Sequence, residues 1–265
     1  MEWRERDANF RALAINHTLR RQHEALSAAV MLADMQQGHL AVAFVRPALD
    51  EWLWLTYLCK LDLAKANGLL LAMGRYDAIR SLSAQRDYIG DEAMTAQLWY
   101  PPGFVDVQVE QLPKVREELR RLGQVLGWGN SALPPARWLA EQVGEVAEYE
   151  YLHAATSRAV HFSAGEVLRR GWGTPGGILV TDKPEFREHL ADFALDRLWR
   201  LWASTLVAVV DRLDNTGVHF EESIDVISET LGKLSRLGKV PLVHAAEWNL
   251  APDGPLRIAR PDDHD

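Results

Sequence analysis

Apolar residues recur every three or four positions over residues 2–37, and this spacing constrains the fold more than any other feature of the chain. A period near 3.6 places such residues on one face of a helix. Gly38 interrupts the pattern, and residues 39–60 (HLAVAFVRPALDEWLWLTYLCK) are apolar on nearly every side, as in a helix surrounded by other helices. The chain is therefore expected to open with a long amphipathic helix and a core helix.

The same periodicity predicts further helices, over residues 61–73, 75–88, 114–126, 137–162, 182–215 and 221–237. Residues 90–113 contain several prolines and a short alternating stretch at Phe104 to Val109, which predicts a loop with one short strand. Residues 167–181 have two β-prone arms around a Gly/Pro turn, which predicts a hairpin. We expect an all-α fold, a bundle of roughly seven or eight helices with one small β-hairpin around 167–181.

The length of 265 residues suits one large hydrophobic core. We predict a single helical domain over 1–238 and an extended C-terminal tail over 239–265 that lies on the surface or on a partner. The ten tryptophans are expected to be large core side chains.

Charge and cysteine content indicate a protein of the cytoplasm. The net charge of −8 argues against a general nucleic-acid coat and against binding to anionic membranes. Cys59 is the only cysteine, so no internal disulfide can form, as is usual in a reducing compartment. The longest apolar runs fall well short of the roughly 18 residues that a membrane span needs. We therefore expect a soluble, cytoplasmic protein that contacts no membrane.

Arg46 stands within the apolar run of the second helix, and Asp50 follows one turn later. This spacing lets the carboxylate accept hydrogen bonds from the guanidinium. Glu51 points about 100° further round the helix and could contact a different group. The three residues form either a structural ion pair that fixes helix register or part of a ligand site.

Four polar residues, Tyr149, His153, Ser157 and His161, follow one another at intervals of four along a predicted helix. They form a stripe on one face, and Arg158 lies within reach of His161. A histidine beside an arginine can serve as acid or base in phosphodiester chemistry, because His titrates near neutral pH and Arg neutralises phosphorane charge. The same geometry also suits a buried polar lock between helices or a metal site.

The motifs of metal and serine hydrolases are not found. Glu150 and His153 have the spacing of half a di-iron site, but the sequence offers no second Glu-x-x-His. It also contains no His-Glu-x-x-His and no Gly-x-Ser-x-Gly. We expect no metal and no cofactor.

Helical ribonucleases of the higher-eukaryote-and-prokaryote nucleotide-binding (HEPN) class carry an Arg followed after four to six residues by a His. The pairs with this spacing are Arg11/His17, Arg212/His219 and Arg257/His264. Chance alone supplies roughly two such pairs in a chain of this composition, so the spacing decides little.

Residues 138–163 (WLAEQVGEVAEYEYLHAATSRAVHFS) resemble a bacterial all-helical family of unknown function. Its pattern is Tyr-x-x-x-Tyr-x-x-Leu-Ser-x-x-Val-His-x-Ser, with an earlier helix that carries Arg-x-x-x-acid. The matching residues are Tyr149, Ser157, Val160, His161 and Ser163, with Arg46 and Asp50 or Glu51 in the earlier element. The sequence departs from the pattern at His153, where the second Tyr is expected, and at Thr156, where Leu is expected.

The resemblance implies a distant likeness to the HEPN class, whose members serve in phage defence and toxin–antitoxin systems. We expect a helical binding or effector module that works through a protein partner or a second copy of itself. The alternative is a metal-independent endoribonuclease that acts on RNA with His161 as acid or base and with Arg158 or Arg46 on the scissile phosphate. A nucleotide is a further candidate ligand.

Overall fold

The computed structural model describes residues 9–101, 103–161, 171–174, 177–180, 184–215 and 224–244. Helices dominate this part of the chain, which confirms the all-α class. The α-helices are α1 (Phe10–Asp34), α2 (Val42–Lys60), α3 (Leu63–Ile89), α4 (Asp91–Leu98), α5 (Phe104–Val109), α6 (Leu112–Leu126), α7 (Ala136–Val143), α8 (Val146–Val160), α9 (Pro184–Val209) and α10 (Ile224–Ser235). Turns of 3₁₀ helix cover Gly38–Ala41 and Val210–Asn215.

The two opening helices form where the periodicity predicts them. The Asn9 side chain accepts a hydrogen bond from the Ala12 backbone N–H at 3.0 Å and so caps α1. Gly38 separates α1 from α2, and its position is tightly enclosed, since a Cβ there would lie 2.5 Å from the Ala191 Cβ. A side chain at this position would clash, so glycine is the residue that fits at the break between the two helices.

The third helix is longer than predicted. We expected a break at Gly74, whereas α3 runs without interruption from Leu63 to Ile89. The Asp62 side chain accepts from the Lys65 N–H and caps its beginning, and Gly90, at φ +85°, ends it. An isolated glycine within a helix costs only about 1 kcal/mol, which the packing of a long helix outweighs.

The predicted short strand at Phe104 to Val109 is wrong, because these residues form helix α5. Gly103 adopts a left-handed conformation at φ +74°, and the Phe104 N–H donates to the Pro101 carbonyl in a turn that leads into the helix. A lone strand would leave its backbone groups unpaired, whereas a helix pairs them locally and still buries Val105. This extra helix, and the end of α7 at Gly144, give more helices than the seven or eight expected.

Two four-residue strands, β1 (Gly171–Thr174) and β2 (Gly177–Val180), pair antiparallel. Gly171 lies opposite Val180 and Thr174 lies opposite Gly177.

Residue contacts divide the chain into two compact units. Unit 1 comprises residues 1–16, 53–145 and 211–217, and unit 2 comprises residues 17–52, 146–210 and 218–265. Fully buried side chains of unit 1 include Leu58, Leu69, Leu119 and Leu139, and those of unit 2 include Leu49, Leu152, Phe186 and Phe193. The predicted boundary at residue 238 stays a prediction.

Three aromatic rings form a cluster within unit 1. Trp138 packs edge-on against Tyr57 and Trp128, with ring centroids 5.2 Å and 5.6 Å away. The Trp128 indole donates to the Ser131 carbonyl at 3.0 Å. Burial of Trp128 and Trp52 agrees with the expected core role of the tryptophans, but Trp99 is 88% exposed and contradicts it.

No helix among the described residues is both long enough and apolar enough to cross a membrane.

Candidate functional site

The predicted ion pair of α2 is present in unit 2. The Arg46 Nε lies 3.1 Å from the Asp50 Oδ2, as the one-turn spacing predicts. The Arg46 side chain is 19% exposed and the Asp50 side chain 40% exposed, so the pair lies at the boundary between the core and the solvent. The second carboxylate oxygen, Asp50 Oδ1, is buried without a hydrogen bond. Although this oxygen is buried, the 40% exposure of the Asp50 side chain makes the ion pair partly accessible to solvent.

Glu51 has a different partner, as its position round the helix suggested. Its Oε1 lies 3.0 Å from the Arg21 Nη2, on helix α1. Burial raises the pKa of the Glu51 carboxyl, while Arg21 and a hydrogen bond with Gln22 act in the opposite direction. Gln22 is itself buried and donates to the Ala48 carbonyl at 3.1 Å. Glu51 thus joins α1 to α2 and is directed away from Asp50.

The stripe of α8 runs from the core to the surface. Tyr149 is buried, and its ring packs edge-on against the His153 ring at 5.1 Å. Ser157 is partly buried, and His161, directly after the last residue of α8, is exposed. Among the described residues, the exposure of the stripe therefore increases from Tyr149 towards His161.

Ser157 is not activated by its neighbouring histidine. Its hydroxyl donates to the His153 backbone carbonyl at 2.7 Å, whereas the His153 Nδ1 is 3.5 Å away. A hydroxyl bonded to its own helix backbone is occupied by that bond. Ser157 therefore does not have the geometry of a nucleophile that a histidine activates.

Electrostatics connect the stripe to the ion pair. Burial lowers the pKa of His153, and the charges of Arg46 and His161 lower it further, while the Asp50 charge raises it. The α8 stripe and the α2 ion pair are thus linked through the electrostatic effects of Arg46 and Asp50 on His153. We call Arg46, Asp50, His153 and His161 the polar cluster.

Not every predicted site residue belongs to this cluster. Glu51 contacts Arg21 instead, and the Arg158 side chain lies outside the described part of the structure. Glu150, the other half of the di-iron spacing, is exposed, whereas His153 is partly buried. Among the described residues, no group of three His, Cys, Asp or Glu side chains could hold a metal ion.

Two arginines of the Arg/His pairs found in the sequence, Arg11 and Arg212, bind backbone carbonyls in unit 1. Arg11 donates to the Leu61 carbonyl at 2.9 Å, and Arg212 donates to the Cys59 carbonyl at 2.9 Å. Both carbonyls lie at or just after the C-terminal end of α2, where backbone acceptors lack helical partners. His219, Arg257 and His264 lie outside the described residues.

Sequence reasoning missed a second polar network in unit 2. The Asp196 Oδ1 accepts from the Arg200 Nε at 2.6 Å, and Arg197, only 3% exposed, contacts Glu148 at 3.3 Å. The Arg197 guanidinium also lies 5.3 Å from the Tyr151 ring centroid. The sequence could have indicated the Asp196–Arg200 ion pair, because these two residues are four positions apart, as Arg46 and Asp50 are.

This network holds the chain after α10. Arg200 donates to the Leu237 carbonyl, Arg197 donates to the Val240 carbonyl, and the Val240 N–H donates to Asp196. Part of the predicted tail is thus bound to α9. Residues 245–265 of that tail lie outside the described residues.

No family model, no curated protein and no solved structure matches the chain.

Proposed function

We propose that this protein is a helical binding or effector module and that the polar cluster of unit 2 is the surface through which it contacts its partner. The observation that carries the proposal is the electrostatic link between the ion pair on α2 and His153 in the stripe on α8. The cluster is partly exposed through Asp50 and exposed at His161. The resemblance to the bacterial helical family suggests a role in phage defence or a toxin–antitoxin system, in the cytoplasm.

Binding is favoured over catalysis for two reasons. Asp50 already neutralises the Arg46 charge, so less of it is left for a transition-state anion. The Ser157 hydroxyl is committed to a backbone carbonyl.

The test uses a photo-crosslinking amino acid placed beside the cluster. Val160 is 41% exposed and precedes His161, whereas Val30, on α1 of the same unit, is 46% exposed and serves as the matched control position. We expect a discrete adduct from position 160, with a partner protein or a second copy, that Arg46→Ala or His161→Ala removes. Adducts that are absent, or identical from both positions, would overturn the proposal.

A metal-independent endoribonuclease is the second candidate function. It is favoured by the lowered pKa of His153, which keeps the imidazole neutral near pH 7 and able to accept a proton. In that reaction His161 would serve as the second acid or base, and Arg46 or Arg158 would contact the scissile phosphate.

The two candidates are separated by an RNA cleavage assay in EDTA. The variants are His153→Ala, His161→Ala and Arg46→Ala, with His23→Ala as a control at an exposed histidine of α1. Cleavage that the three cluster variants lose at unchanged melting temperature, and that His23→Ala retains, would replace the binding proposal with the ribonuclease. Absence of cleavage excludes the second candidate and leaves the crosslinking result to decide the first.

A further inference from the structure

A cleft of about 460 Å³ lies between α4 and α5 in unit 1. We call it the α4–α5 cleft. Its apolar walls are formed by Met94, Ala96, Tyr100, Pro101, Phe104 and Val105. A volume of this order accommodates a large side chain or a small ligand.

Aromatic rings dominate one wall of the cleft. The Tyr100 and Phe104 rings lie 4.5 Å apart, centroid to centroid, and are inclined by 32°. Trp99, the residue directly before Tyr100, is 88% exposed. Tyr88, at the end of α3 in the same unit, is also highly exposed. The paired Tyr100 and Phe104 rings supply an apolar, aromatic surface to the cleft.

The charged residues that line the cleft are all acidic. Asp91, Glu92 and Asp106 line it, and none of the described lining residues is basic. All three acidic side chains belong to exposed residues. A site with both carboxylates and aromatic rings attracts a cation in two ways. The carboxylates form ion pairs with it, and the negative faces of the rings interact with its charge.

An arginine of this chain already contacts two of these carboxylates. The Arg86 guanidinium forms an ion pair with Asp106 and lies 3.8 Å from Asp91. It also lies 3.8 Å from Asp87, outside the cleft. One guanidinium therefore faces three carboxylates, and Glu92 adds a fourth, so negative charge is left over at the cleft.

We propose that the α4–α5 cleft docks an arginine-rich segment of a partner protein. A guanidinium is planar, stacks on aromatic faces and donates to carboxylates through a fork, so it satisfies both features of the cleft. The ammonium group of a lysine would interact less favourably with the rings, because it is compact and strongly hydrated. An apolar peptide would desolvate Glu92 without pairing it. Charge complementarity thus selects the basic segment as the occupant.

This inference does not rest on the proposed function of the polar cluster, because the cleft belongs to unit 1 and the cluster to unit 2. Substitutions at either site test that site alone.

The experiment measures binding of a fluorescent, synthetic arginine-rich peptide to the full chain by anisotropy at low ionic strength. We expect saturable binding that the double substitution Tyr100→Ala, Glu92→Gln weakens about tenfold or more, since it removes one ring and one carboxylate that line the cleft. The matched control is Glu118→Gln, the same loss of charge at an exposed position on α6 of the same unit. This control should leave the affinity within about twofold, because screening limits the reach of a distant charge.

Other probes identify the occupant. A lysine peptide of equal length and charge should bind more weakly than the arginine peptide, and spermidine should compete only weakly. The proposal is overturned if binding is not saturable, if Glu118→Gln weakens it as much as the cleft variant, or if spermidine or the lysine peptide binds as tightly as the arginine peptide. Equal melting temperatures of the variants and the wild-type chain confirm that the comparison concerns folded protein.

Discussion

Arg197, on α9, donates a hydrogen bond from its Nη2 to the carbonyl oxygen of Val240, 3.1 Å away and 43 residues later in the chain. A nearly fully buried guanidinium thus recognises the backbone of an extended segment. Around it, Asp196 and Arg200 bind the same segment at Val240 and Leu237. Residues 237–240 are therefore held by the charged side chains of α9.

Removal of Asp196 should destabilise the protein strongly. Asp196→Ala leaves Arg197 and Arg200 without their shared carboxylate, and we expect a loss of about 3 kcal/mol in the free energy of unfolding. The control is Glu24→Ala, which breaks the exposed Arg20–Glu24 pair of the same spacing and should cost less than about 0.5 kcal/mol. Urea denaturation of both variants measures the difference. Equal losses would contradict the assigned role of burial.

His153 should make stability depend on pH. Its pKa is lowered from 6.5 in the folded protein, mainly by burial, so the unfolded chain takes up a proton first as the pH falls. Wild-type stability should therefore fall as the pH drops below 6.5 and level off below the folded pKa. His153→Gln should lose this part of the dependence.

The exposed His23 provides the control for this measurement, since His23→Gln should retain the wild-type profile. Thermal melting at several pH values gives the result. A profile that is the same for His153→Gln and the wild type would show that burial of His153 does not affect its protonation.

Glu51 should respond to pH in the opposite sense. Burial raises its pKa above 4.5, so its contribution to stability is fully present below that pH and is lost as the pH rises through the folded pKa. Glu51→Gln, which has no charge to desolvate, should therefore gain stability relative to the wild type as the pH rises from 4 to 7. Glu24→Gln, at an exposed site on α1, should show no such trend. A loss of stability in Glu51→Gln at neutral pH would mean that the ion pair with Arg21 outweighs the cost of burial.

Two helical glycines should respond in opposite directions to replacement by alanine. A Cβ at Gly123 would lie 2.5 Å from both the Gly129 carbonyl oxygen and the Trp128 Nε1, so Gly123→Ala should cost about 2 kcal/mol or more. At Gly74 no atom lies within 4 Å of the added Cβ, and Gly74→Ala should gain about 0.5 to 1 kcal/mol. Chemical denaturation measures both. A neutral Gly123→Ala would show that the turn after α6 can move away.

Features that depend on local geometry could be predicted from the sequence. The long helices follow from a spacing of three and four, and the Arg46–Asp50 pair follows from one helical turn. Gly38 separates two helices as expected, because glycine weakens a helix from within and readily ends it. The error at residues 104–109 arose because valine and phenylalanine favour a strand, while no partner strand was there to pair with them.

Features that join distant parts of the chain were decided by the tertiary structure alone. The electrostatic effect of Arg46 on His153, the exposure of Trp99 and the binding of Val240 by Arg197 each depend on how helices pack. The sequence determined which side chains share a helix face, because the helical repeat fixes neighbours three and four residues apart. Only the fold decided which of those faces are buried and which charges meet across helices, since both result from long-range packing of the whole chain.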